Sequence, residues 1–137
     1  MQGFGRLMAA LGLVLVLGSL PAVAQERGIE ETIGQQLEAF KKDDFGAAFD
    51  FASPTIKNLF RTPENFGAMV KQGYPMVWRP GDVTFLEQRE IAGAIWQKVQ
   101  IVDGTGRVHI LEYQMIQTPE GWQINGVQLL RQPDVAA

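Results

Sequence analysis

The chain contains no cysteine. That removes thiolate chemistry, disulfide bracing, sulfur-ligated zinc and lipid attachment at an N-terminal cysteine in one step. His109 is the only histidine, too few for an imidazole-built zinc site. A carboxylate-only cation site would need an acidic loop, and no segment supplies one. Positive charge is scarce: 12 Lys and Arg stand against 15 Asp and Glu, a formal net charge of −3. Lys41 and Lys42 are followed at once by Asp43 and Asp44, so no basic patch forms for a phosphate backbone. No metal, cofactor or nucleic-acid partner is expected. Asp103-Gly104-Thr105-Gly106 leads from one strand pattern into another; a phosphate-cradling loop would lead into a helix. No Ser–His–acid order can be singled out.

The apolar run over residues 7–17 is shorter than the ~20 residues a membrane span needs. Arg6 precedes it, Gly18, Ser19 and Pro21 break it, and Ala22-Val23-Ala24 follows in the small-x-small order that a signal peptidase reads. Residues 1–24 therefore read as a secretory signal and residues 25–131 as one α+β domain, with 132–137 a disordered tail. Cleavage would leave no stable membrane anchor. The expected location is the periplasm, with the extracellular space as the alternative.

After a short leader at 25–28, Ile29, Ile33, Leu37 and Phe40 recur at the spacing of one helical face, which predicts a helix over residues 29–42. Asp43 or Asp44 can cap a second helix that buries Phe45, Ala48, Phe49 and Ala52. Ser53-Pro54 and Thr62-Pro63 repeat one device, a hydroxyl at the N-cap and proline at the first helical position. Residues 74–79 lie between Pro75 and Pro80 and predict a short extended segment. Four strands follow, over 83–92, 95–102, 107–116 and 122–130. A bulge at Gly126 would put Trp122, Ile124, Val127 and Leu129 on one face.

Strand 107–116 carries His109, Leu111, Tyr113 and Met115 on one side and Val108, Ile110, Glu112, Gln114 and Ile116 on the other. Both sides are partly apolar, whereas a sheet with one wet face alternates cleanly. The outer face should therefore be covered. Trp96, Val102, Val108, Ile110 and Ile116 could form one patch there, and a homodimer through it is the leading expectation.

Several stretches together cover most of residues 29–130: Gln36-Leu37-Glu38-Ala39-Phe40, Ala52-Ser53-Pro54, Phe60-Arg61-Thr62-Pro63-Glu64-Asn65-Phe66, and the run from Gly121 to Val127. Through them the chain resembles a family of short exported bacterial proteins of unknown function. Its helices-then-meander order is similar to the nuclear-transport-factor-like, or cystatin-like, α+β superfamily. That resemblance implies helices packed on a curved antiparallel sheet of four or more strands forming a cone with a cavity. It implies no activity, because one scaffold hosts isomerases, dehydratases and plain binding modules.

Proton transfer at carbon needs a positioned base and a donor for the developing oxyanion. The candidates are Asp50, Glu112 and His109 with the two tyrosines, Tyr74 and Tyr113, and no tuned carboxylate pair stands out. Gln97 interrupts the apolar set Ile95, Val99, Ile101. Facing inward, it needs hydrogen-bond partners from a ligand or from the core. Gln97, His109, Tyr113 and Asp50 are therefore the pocket candidates. The expected role is a non-catalytic module for a small apolar ligand or a protein partner. A small isomerase- or dehydratase-like cavity enzyme is the first alternative, and a structural dimer with a filled interior is the second.

Overall fold

A computed structural model of the protein describes residues 22–131. The export signal expected over 1–24 lies outside them up to residue 21, and so does the tail expected over 132–137. Five helices come first: α1 (Ala22–Lys41), α2 (Phe45–Asp50), α3 (Pro54–Phe60), α4 (Pro63–Gly73) and α5 (Pro75–Trp78). Four strands follow, β1 (Pro80–Ile91), β2 (Ala94–Asp103), β3 (Val108–Thr118) and β4 (Gly121–Leu130). They pair as an open antiparallel sheet in the order β1-β2-β3-β4. The architecture is α+β, as expected.

The apolar stripe of α1 is the centre of the core. Ile29, Ile33, Leu37 and Phe40 are all buried, together with Val99, Ile101, Leu111, Tyr113, Met115 and Ile124 from the inner sheet face. The helix starts at Ala22 rather than at Ile29, so the expected leader at 25–28 is helical. Gly28 is accommodated there because Trp122 lies on it: a Cβ at Gly28 would stand 3.0 Å from Trp122 Cδ1. The Thr32 hydroxyl joins the same contact, donating to the carbonyls of Gly28 (3.0 Å) and Trp122 (3.3 Å).

Each short helix begins as its cap residue dictates. Asp44, Ser53 and Thr62 accept hydrogen bonds from the backbone N–H groups of Ala47, Ile56 and Asn65. These bonds satisfy donors that the first helical turn leaves open. Residues 74–79 correct the expectation of an extended segment, since Pro75–Trp78 is a helical turn. Proline at a first helical position is pre-set for that geometry. Pro80 opens β1, where its missing N–H interrupts no ladder.

Both edge strands are irregular. In β4, Ile124 faces Met115 and Gly126 faces Gln114, leaving Asn125 as the extra residue. This is the bulge expected at Gly126. It returns Ile124, Val127 and Leu129 to the inner face, opposite Met115, Tyr113 and Leu111. In β1, Phe85 faces Val99 and Gln88 faces Gln97, so Leu86 and Glu87 drop out of register. The edge of β4 is partly covered: Ile124 N–H donates to Phe51 O (2.8 Å) and Ser53 N–H donates to Ile124 O (2.8 Å).

Candidate functional site

A cavity of about 240 Å³ opens between α1, the helices α3, α4 and α5, and the bulged part of β4. Gln36 and Phe40 reach it from α1, Phe66, Met69 and Val70 from α4, and Val77 from α5. Ile124, Gly126 and Val127 form the sheet side, while Ile56, Leu59 and Phe60 form a lip on α3. Leu59 is 68% exposed, so the cavity meets solvent there. Phe66 stiffens the wall, with ring centroids 5.8 Å from Phe40, 5.2 Å from Phe49 and 5.8 Å from Phe60. Tilted aromatic packing of this kind is favourable beyond the area it buries.

Among the described residues, two side chains bring polar N or O atoms to this wall, Gln36 and Tyr74. Gln36 is 3% exposed, and its Nε2 donates to Ala48 O at 3.1 Å. That bond sets the orientation of the amide. The Tyr74 hydroxyl donates to Val127 O at 3.2 Å. Among the described residues, no Asp, Glu, His, Lys or Arg lines the cavity.

The four expected pocket residues are not brought together, and none of them lines this cavity. Gln97 is fully buried and satisfied within the fold. Its Nε2 donates to the carbonyls of Leu86 (2.9 Å) and Lys98 (2.8 Å), and its Oε1 accepts from Gln88 (2.8 Å). The β1 bulge thus supplies one of its three partners, the Leu86 carbonyl.

His109 sits at the start of β3 and is held by Asp103, Nε2 to Oδ2 at 2.8 Å. Asp103 also accepts from the Thr105 hydroxyl and from the N–H groups of Thr105 and Arg107. Thr105 and then His109 hold its carboxyl well below the usual range. The pair closes the turn between β2 and β3.

Tyr113 is fully buried on the inner sheet face, and its hydroxyl has no hydrogen-bond partner among the described residues. Burial, and then the neighbouring Tyr74, push its pKa well above the ordinary value. Asp50 is exposed at the end of α2. It borders a shallow polar groove with Lys57, Glu120 and Trp122, away from the apolar cavity.

Glu112, the remaining carboxylate candidate, is on the outer face and is gripped by Arg89 through two hydrogen bonds of 2.9 and 2.8 Å. Lys98 pairs with Glu87 beside it (3.0 Å). Trp96, Val108, Ile110 and Ile116 are all on this outer face, but the register sets Lys98, Glu112 and Gln114 between the two ends of the patch. Val102, Val108, Ile110 and Leu130 adjoin at one end, and Trp96 lies near the other with Ile116.

Gln36 is the wall residue that the sequence reading missed, while Tyr74 entered it only as one of the two tyrosines available as an oxyanion donor. Gln36 had a signal, because it lies three residues after Ile33 and four before Phe40, on the buried stripe of α1. Tyr74 was not placed on a pocket wall, because its segment was expected to be extended.

Among the described residues there is no group of three or more metal-ligating side chains. No helix among them is long and apolar enough to cross a membrane. Residues 22–137 match the family model of a domain of unknown function, DUF4864. No curated protein matches the chain.

Proposed function

The chain belongs to the DUF4864 family of unknown function, and from that premise we propose that it is a non-catalytic binding module for a small apolar molecule. One observation carries this reading. Among the described residues the cavity wall is almost entirely carbon, and none of their carboxylate, imidazole or ammonium groups lines it. Binding sites are concave and mostly apolar, with a few placed polar groups. An acid–base enzyme needs titratable groups converging on one point, and here Asp50, His109 and Glu112 stand apart. The isomerase-like alternative has no support from this wall.

The proposal includes export after cleavage behind Ala24 and residence in the periplasm. It also includes placement in the nuclear-transport-factor-like superfamily, whose open cone the helix-covered sheet would represent. Native mass spectrometry of protein purified from its own host tests the binding role. The expected spectrum contains a carried small apolar mass that organic extraction removes. A bare chain that also fails to take up added apolar probes ends the reading.

A homodimer through the outer face is a second proposal, favoured by the apolar end of that face. Val108 is 42% exposed there, beside Val102, Ile110 and Leu130. Light scattering after gel filtration should give twice the chain mass for the wild type and the single mass for Val108→Lys. A wild-type monomer at high concentration removes the idea.

A further inference from the structure

We propose that α3 is a strained lid over the cavity, which closes on a bound apolar molecule and lays Leu59 across the mouth. This rests on the reading that the cavity takes a small apolar body. The joint between α3 and α4 carries the first observation. Thr62 N–H donates to Phe60 O at 2.9 Å, which closes a three-residue turn over 60–62. Arg61 at its centre has φ 72 and ψ −41, the rare and strained form of that turn. Glycine takes positive φ freely, whereas a long side chain there carries a steric cost. A residue kept in so sparsely populated a conformation stores strain, and such residues cluster at ligand clamps and switch segments.

The packing of α3 is the second observation. No residue of α3 is buried, although Ile56, Leu59 and Phe60 all line the cavity. Leu59, at 68%, is the most exposed large hydrophobic side chain among the described residues. The other end of the helix is fixed. Ser53 is fully buried, its N–H donates to Ile124 O (2.8 Å), and its hydroxyl donates to Asn125 Oδ1 (2.7 Å). Ser53 is thus a pivot and Arg61 a strained joint, with a loosely packed helix between them. A ligand shifts such an element only by interacting better with its closed position. Leu59 supplies that difference, because a filled cavity gives it carbon to lie on in place of water. An apolar void of about 150 Å³ takes benzene, so a cavity of about 240 Å³ has room for a fused pair of rings.

The experiment titrates the full chain with naphthalene and follows amide and methyl shifts by heteronuclear NMR. Residual dipolar couplings with and without the probe then report the orientation of α3 against α1 and the sheet. The α3 couplings should fit a new orientation in the bound form, while those of α1 and β2–β4 keep theirs. Leu59→Ala should weaken naphthalene roughly tenfold at an unchanged melting temperature, since the side chain is exposed in the free protein. Arg61→Gly removes the strain from the open position. It should weaken naphthalene roughly fivefold without lowering the melting temperature, whereas a merely structural turn would leave the affinity alone. Saturation with α3 held in its free orientation, or wild-type affinity in either variant, overturns the lid while the apolar cavity stands. The couplings on the wild-type chain carry the test should a variant not fold. No shift at any wall residue overturns the binding reading itself.

Discussion

Arg89 and Glu112 meet across the outer sheet face in a two-pronged ion pair, Nε to Oε2 at 2.9 Å and Nη2 to Oε1 at 2.8 Å. Its two ends differ in exposure. The glutamate side chain is 1% exposed and the arginine is 52% exposed. Removing the arginine alone would strand a buried carboxylate, whereas removing both would not. Arg89→Met should therefore lower the melting temperature by several degrees, and Arg89→Met with Glu112→Leu should recover most of the loss. Thermal unfolding of the two single variants and the double variant forms the cycle that measures it. A double variant less stable than either single would refute the account.

The Asp103 turn makes an acid-sensitive contribution. Hydrogen bonds from Thr105 and His109 depress this carboxyl below its ordinary value of 3.8. A depressed folded-state pKa means the unfolded chain binds the proton first as pH falls. The contribution is fully present above the ordinary value and shrinks as pH drops below it toward the folded-state value. Asp103→Asn should flatten the stability–pH curve on that acid limb. Identical slopes for both proteins in chemical denaturation between pH 2 and 4 would count against it.

Filling the cavity should separate binding from folding. Val127 lines it from the inner face of β4, and Val127→Phe adds bulk into open space rather than into a packed core. The expected result is loss of binding of added apolar probes by at least roughly tenfold, with a stability change of no more than about 1–3 kcal/mol. Unchanged affinity would move the ligand elsewhere on the molecule.

The β1–β2 hairpin holds Ala92 at φ 52 and Gly93 at φ 85. Two positive φ values in a two-residue loop call for Asn-Gly, and alanine at the first position is strained. Ala92→Asn should stabilise the fold by about 0.5–1 kcal/mol in urea denaturation. No gain would mean that this hairpin relaxes easily.

Processing is testable directly. Mature protein isolated from its host should begin at Gln25. An intact Met1, or a cut far from Ala24, would remove the export proposal.

Much of the frame was legible because it is written in local chemistry. The spacing of Ile29, Ile33, Leu37 and Phe40 marks a buried helical stripe wherever it occurs. Asp44, Ser53 and Thr62 start helices through bonds to N–H groups three residues away. Gly126 and its neighbours marked the bulge. Residues 74–79 were misread because proline suits both an edge strand and the first turn of a helix, and only the surrounding packing selects between them. Gln97 drew attention as a possible ligand contact, but its amide bonds within the sheet, to Gln88, to Lys98 O and to the carbonyl of Leu86 that a bulge in another strand supplies.

The order of apolar, capping and turn residues was enough by itself to determine that helices come first and that a four-stranded meander covers them. Those signals act over a few positions along the chain. The cavity is different in kind: Gln36, Phe66 and Val127 come from three separate elements and Tyr74 from the junction of α4 and α5. Only the way α1 and α4 seat against the bend in β4 decided that a gap would remain there and that Gln36 would line it. No local pattern encodes a void, because a void is what packing leaves when surfaces distant in sequence do not quite meet.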